Sequence, residues 1–170
     1  MVVVNDFTRY TWVVLLKSKS DAPEHIEALC TRLQNKKNMK IDQIPSDHGK
    51  EFENSYMESF CARSGISQEF SASITLQQNG VVERKNRVIQ EIARAMLHNK
   101  DMVRNLWGEA VNPTCHMVNR VYFRPGTKKT PYELWKGRKP NVKYFKIFRS
   151  TCFILKNREN VGKSDSRSDE

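Results

Sequence analysis

Two carboxylates stand out by their settings. Asp47 follows the segment Ile44-Pro45-Ser46, Glu83 opens a strongly periodic stretch, and thirty-five residues separate them. Carboxylates held on rigid elements beside a sheet edge can bind hard divalent cations, which favour oxygen donors. Two such cations can activate a nucleophile and stabilise the leaving oxygen in phosphoryl transfer. Spacing alone does not establish that chemistry. A chain with 19 Asp and Glu contains many such pairs, and Asp47 capping a turn with Glu83 pairing Arg87 at i,i+4 explains both residues more simply.

The elements that must position these residues alternate in type. Val2–Val4 and Tyr10–Leu16 are rich in strand formers on either side of the turn residues 5–9, which predicts a hairpin. Asp21 and Pro23 open a helix with an apolar stripe of Ala22, Ile26, Leu29, Cys30 and Leu33. Met39–Ile44 alternates as a third strand, so Asp47 falls just beyond its end. A helix over 54–64 stops at Gly65, and Ile66–Phe70 is a fourth strand. A polar loop, Ser71–Gly80, then leads into a helix over 81–99 with the stripe Val82, Ile89, Ile92, Ala93 and Met96. A further helix runs from Asn105 through Val118, with Pro113 expected to kink it at a cost of ~3 kcal/mol. Thr130-Pro131-Tyr132-Glu133 is a capping box with Pro at the first helical position, closed by Gly137. Phe148–Leu155 alternates weakly as a strand. The pattern predicts an α/β fold with a mixed sheet and flanking helices.

Composition bounds the partners. The 170 residues fit one domain, and 38% hydrophobic residues suffice for a core. The net charge is +10 and the pI about 9.6, which favours an anionic partner, nucleic acid before membrane. The charge is concentrated. Residues 1–119 carry 15 basic against 14 acidic side chains, whereas residues 120–149 carry 10 basic against Glu133 alone. A mean hydropathy of −0.67 and a longest apolar run of Trp12–Leu16 exclude a transmembrane helix. Met1–Val4 has none of the marks of a signal peptide, so an intracellular protein is expected. Cys30, Cys61, Cys115 and Cys152 never form C-x-x-C and do not pair with the histidines at finger spacing. Small buried thiols are the expectation, with no zinc site and no disulfide framework.

The words around the two acids narrow the reading. Ser46-Asp47-His48-Gly49-Lys50-Glu51-Phe52 and Gln77-Gln78-Asn79-Gly80-Val81-Val82-Glu83-Arg84-Lys85-Asn86-Arg87 resemble the second acidic motif and the glutamate motif of retroviral-type integrases. More narrowly, they resemble the integrase core of copia-type LTR retrotransposons, whose D-D-35-E spacing Asp47 and Glu83 meet. The resemblance continues through Asp6–Trp12, Trp107–Asn112, Asn119-Arg120 and Thr130–Trp135, over almost the whole chain. It implies an RNase H-like catalytic core over residues 1–104, a basic helical extension over 105–142, and the beginning of an SH3-like β module over 143–170. It also implies that the family's first catalytic aspartate lies on a strand ahead of Val2. The core is therefore expected to be incomplete at its N-terminus, and Asp6 belongs to a turn that does not replace that aspartate. Smaller departures from the family pattern are His48, Lys50, Leu76, Pro113 and Arg149-Ser150.

The function so implied is DNA integration: metal-dependent 3′-processing and strand transfer, with Asp47 and Glu83 as the catalytic acids and ligands of Mg²⁺ or Mn²⁺. Without the bridging aspartate, these residues are expected to bind metal weakly and to be inactive by themselves. DNA contacts are expected from Asn79 on the loop before the helix, from Arg84, Lys85 and Arg87, and from Lys128, Lys129, Arg138 and Lys139 in the basic segment. His48 reads best as an exposed turn residue. A homo-oligomer acting in the nucleus, with no membrane partner, completes the expectation. The rival readings are a non-catalytic DNA-binding or assembly domain and a relic without a stable fold.

Overall fold

The computed structural model describes residues 1–47, 49, 51–70, 76–98, 104–148, 150, 151, 154, 155, 168 and 169. Strands β1 (Val2–Val4) and β2 (Thr11–Val13) form the expected antiparallel hairpin, with Val3 opposite Trp12. Asn5 organises its turn: the Asn5 side-chain oxygen accepts from the backbone N–H and the hydroxyl of Thr8, and Arg9 adopts a left-handed φ of 60°. The second strand is shorter than its β-branched run predicted, because the backbone leaves the ladder after Val14 pairs with Met1.

Helix α1 (Ala22–Lys37) follows a 3-10 turn over Lys19–Asp21, which Ser18 and Asp21 close as a capping box. Strand β3 covers Gln43–Ser46. This corrects the expected Met39–Ile44: Asn38 ends α1 in the left-handed conformation, and the chain needs the next residues to turn back before it can pair. Helix α2 (Ser55–Ser64) is capped by the Asn54 side chain on the Met57 N–H at 3.0 Å and ends at Gly65, whose φ of 64° suits a residue without Cβ. Strand β4 (Ser67–Phe70) runs parallel to β3, with Ser46 opposite Phe70.

Helix α3 spans Leu76–His98, five residues longer at its start than the loop expected over Ser71–Gly80 allows. Leu76, Gln77 and Gln78 are good helix formers, and one interior glycine costs only ~1 kcal/mol relative to alanine, so Gly80 does not break the helix. Helix α4 (Trp107–Val121) follows a 3-10 turn over Arg104–Leu106 and runs through the exposed Pro113. Helix α5 (Pro131–Lys136) has the predicted box in full: Glu133 N–H donates to Thr130 Oγ1, and Glu133 Oε2 accepts from Thr130 N–H at 2.8 Å. The expected last strand shrinks, among the described residues, to β5 (Ile154–Leu155), paired antiparallel with β6 (Ser168–Asp169).

The described strands form three separate two-stranded ladders, not one mixed sheet. Two apolar cores lie beneath them. One joins Ile89, Ala93 and Leu97 of α3 to Ala110, Val111, Cys115 and Val118 of α4; the other joins Ile26 and Cys30 of α1 to Met57, Phe60 and Cys61 of α2, with Ile66. Val13 packs on the first and Met1 on the second, so the hairpin touches both. Cys30, Cys61 and Cys115 are buried free thiols, as expected, and burial pushes Cys30 and Cys115 up to about 11. Cys152, His48, Lys50 and Arg149 lie outside the described residues.

Candidate active site and nucleic-acid interface

Asp47 emerges directly from β3, and its exposed carboxylate makes no hydrogen bond or ion pair among the described residues. Its neighbour Ser46 has a buried hydroxyl without a partner among the described residues. Gly49 lies where a second carboxylate converges: a Cβ on it would meet Glu51 Oε2 at 2.9 Å and Asp47 Oδ1 at 3.2 Å. The glycine thus keeps a small space open between two acidic side chains. Nothing in the sequence reading singled out Glu51; the signal was its place four residues after Asp47 across a glycine.

Glu83 lies on the exposed face of α3, and Arg87 follows one turn later on that face. The i,i+4 ion pair that would have explained both is not formed; the described ion pairs are Arg9–Asp6 and Arg63–Glu27. Arg84 is also exposed and folds back over Gly80, where its Nη1 would stand 2.9 Å from an added Cβ. Lys85 points the other way. It is half-buried on the stripe of Ile89 and Ala93, beside Cys115 and Arg9, and burial lowers its pKa. Asn79 belongs to α3, not to a loop preceding it.

The two acids therefore stand on different cores, Asp47 on the β3–β4 ladder above α1 and α2, and Glu83 on the helix packed against α4. No group of three or more metal-ligating side chains forms among the described residues. The donor chemistry nonetheless suits a hard divalent cation. The acids offer anionic oxygens without ion-pair partners among the described residues, and Gly49 leaves room beside Asp47.

The basic segment divides into two kinds of side chain. Arg120 is built into the fold, stacked 4.3 Å from the Tyr132 ring and donating to His116 O at 3.0 Å; Arg124 lies over Phe7. Lys128, Lys129, Arg138 and Lys139 are exposed and form no ion pair among the described residues. Of the segment's aromatic residues, Trp135 packs on Trp12 at 5.1 Å and Tyr10 at 5.7 Å, whereas Tyr122, Phe123 and Tyr144 are exposed. One structural role escaped the sequence reading. Asn119 of α4 reaches the outer edge of β2, its Oδ1 accepting from Thr11 N–H at 2.9 Å and its Nδ2 donating to Thr11 O at 2.8 Å.

No protein-family model matches the chain. Among curated proteins it is 30% identical over 165 residues to the retrovirus-related Pol polyprotein from transposon TNT 1-94 of Nicotiana tabacum, covering 97% of this chain and 12% of that protein. It is 29% identical over 168 residues to the corresponding polyprotein from transposon RE1 of Arabidopsis thaliana, covering 99% of this chain and 11% of that one. The chain thus spans about a tenth of the length of these relatives. Among solved structures it matches the HTLV-2 integrase catalytic core domain in complex with magnesium, with TM-score 0.59 and 20% identity over 78% of this chain and 80% of that one. It also matches the catalytic core domain of BIV integrase, with TM-score 0.57 and 21% identity over 80% and 84% of the two chains. A chain in a simian T-cell lymphotropic virus intasome matches 98% of this chain with TM-score 0.66 and 15% identity, over 58% of its own length. The chain is a homologue of a segment of copia-type retrotransposon Pol polyproteins, built on the RNase H-like fold of retroviral integrase catalytic cores.

Proposed function

We propose that the chain is the integrase core of a retrotransposon polyprotein and serves DNA integration. The observation that carries this reading is the placement of its two motif acids. Asp47 leaves the end of a strand, Glu83 faces outward from α3, and both are free of ion pairs among the described residues in a fold shared with integrase cores. Asp47 and Glu83 are the ligands in this reading. A bound Mg²⁺ or Mn²⁺ would polarise the scissile phosphodiester and lower the pKa of the attacking water or 3′-hydroxyl. Arg84 and Arg87, on the exposed side of α3, and Lys128, Lys129, Arg138 and Lys139 hold phosphates and orient the DNA. Asn79, one turn before Glu83 on α3, contacts the DNA end, and Lys85 adds positive potential from its half-buried position. The division at residues 104 and 142, with an SH3-like module beginning at 143, belongs to the same proposal, as do self-association and action in the nucleus.

By themselves these residues are expected to be inactive. Asp6 does not supply a third carboxylate, because it pairs with Arg9 in the hairpin turn. The ladders support a missing central strand: β1 pairs only with β2, and β3 only with β4, among the described residues. The test is strand transfer with Mg²⁺ or Mn²⁺, first with the 170 residues and then with the preceding segment of an intact relative fused ahead of Met1. Activity is expected only in the fusion, and Asp47→Asn or Glu83→Gln is expected to abolish it. Activity that survives both substitutions would place the chemistry elsewhere. A fusion that folds and binds DNA but stays inactive would favour the second reading, a DNA-binding or assembly module, which the exposed cations of the basic segment, Lys128, Lys129, Arg138 and Lys139 among them, support. A chain without a cooperative unfolding transition in either form would favour a relic.

A further inference from the structure

Three lysines from two distant helices are crowded together. Lys36 and Lys37 end α1, and Lys136 ends α5. Lys37 is held by a clamp: its Nζ donates to Trp135 O at 2.5 Å and lies 4.4 Å from the centre of the Trp135 ring, which packs on Trp12 and Tyr10. That clamp brings the ends of α1 and α5 together. The clamp sets Lys136, the residue after Trp135, beside the end of α1, and burial together with the like charges of Lys36 and Lys37 lowers its pKa. Tyr132 acts in the opposite direction, raising it. Each lysine alone suits the negative end of its helix, but that does not explain why the clamp brings the two lysine-bearing ends together.

We propose that the last turns of α1 and α5 form a phosphate cradle for the DNA backbone, with Lys36, Lys37 and Lys136 as its donors. An anionic oxygen among the three turns mutual repulsion into charge-assisted hydrogen bonds. Lys37 reaches the site with its side chain already fixed on Trp135, so little conformational freedom remains to be lost on binding. Arg138 and Lys139, exposed just beyond α5, extend the cradle toward the rest of the basic segment. The inference rests on the DNA-binding reading and adds α1 to its surface.

The test compares K36Q/K136Q, which leaves the Lys37 clamp intact, with K17Q/K19Q, an equal loss of charge at exposed positions before α1. Duplex DNA affinity is measured against salt, and the thermal midpoint with and without inorganic tripolyphosphate. Each lost phosphate contact lowers the log–log salt slope by about 0.9, so K36Q/K136Q should flatten it by about 1.8 and abolish stabilisation by tripolyphosphate. K17Q/K19Q should do neither. Wild-type binding with an unchanged slope in K36Q/K136Q, or an equal change in K17Q/K19Q, would overturn the cradle while leaving the DNA reading intact. A wild-type chain that responds to tripolyphosphate but does not bind duplex DNA would overturn the DNA reading itself, and the backbone as the cradle's ligand with it.

Discussion

Asn119 shows how much one polar side chain can carry. Its amide offers a donor and an acceptor at the spacing of a peptide group, and both are used on Thr11, where Asn119 is 2% and Thr11 1% exposed. Asn119→Ala would leave a buried N–H stranded and remove the amide partner of the Thr11 carbonyl. The expected cost is about 2–4 kcal/mol, read as a fall in the urea midpoint with little change in m. Asn119→Asp should also destabilise, since a carboxylate cannot donate to Thr11 O. The Asn119-Arg120 pair was legible in the sequence as part of a family pattern, but not its role, because Thr11 lies 108 residues away. The acids stand out in the sequence for a different reason: motif words pick them out locally, and the proposed function takes its ligands from them. What the words could not tell was that Lys85 turns inward while Glu83, Arg84 and Arg87 turn out, which depends on where α4 packs.

At the scale of elements, local chemistry was read well and pairing less well. The Thr130–Glu133 capping box and the Gly65 stop follow from residues within a few positions of one another. The bounds of β2 and β3 do not, since a strand ends where its partner ends. The start of α3 differs because the polar run up to Gly80 reads as loop, whereas Leu76, Gln77 and Gln78 favour helix strongly enough to carry the glycine. Helix α5 gives a pH prediction. Hydrogen bonds from the Thr130 backbone and hydroxyl to Glu133 hold its carboxyl below its ordinary value of 4.5. The folded pKa is depressed, so this contribution is complete above the unfolded pKa and disappears as pH falls through the folded one. Glu133→Ala should therefore lower the denaturation midpoint at pH 7, and the difference from wild type should shrink toward pH 3. A difference independent of pH would show that the carboxylate is not the stabilising species.

Over the whole molecule, the separation into two apolar cores has dynamic consequences. Met57 is 0% exposed in one and Val118 0% in the other, while the hairpin touches both. Met57→Ala should cost ~2–5 kcal/mol through the cavity it leaves. Amide exchange should then accelerate through α1 and α2 well before α3 and α4, whereas fully cooperative unfolding would accelerate all four together. Asp47 sits over the core of Met57 and Glu83 over that of Val118, so under the proposed function conditions that loosen either core should abolish strand transfer before they abolish DNA binding.

The side chain that seals β2 at Thr11 also limits how copies of the hairpin can assemble. The antiparallel register turns the backbone groups of Val2 and Val4 away from β2, toward an edge that no described strand occupies, while the opposite edge is stoppered by Asn119. A ribbon open on both sides can add copies without end, but one open on a single side can take one neighbour. Through this hairpin, association should stop at pairs, because Asn119 and the helix that carries it close the second side.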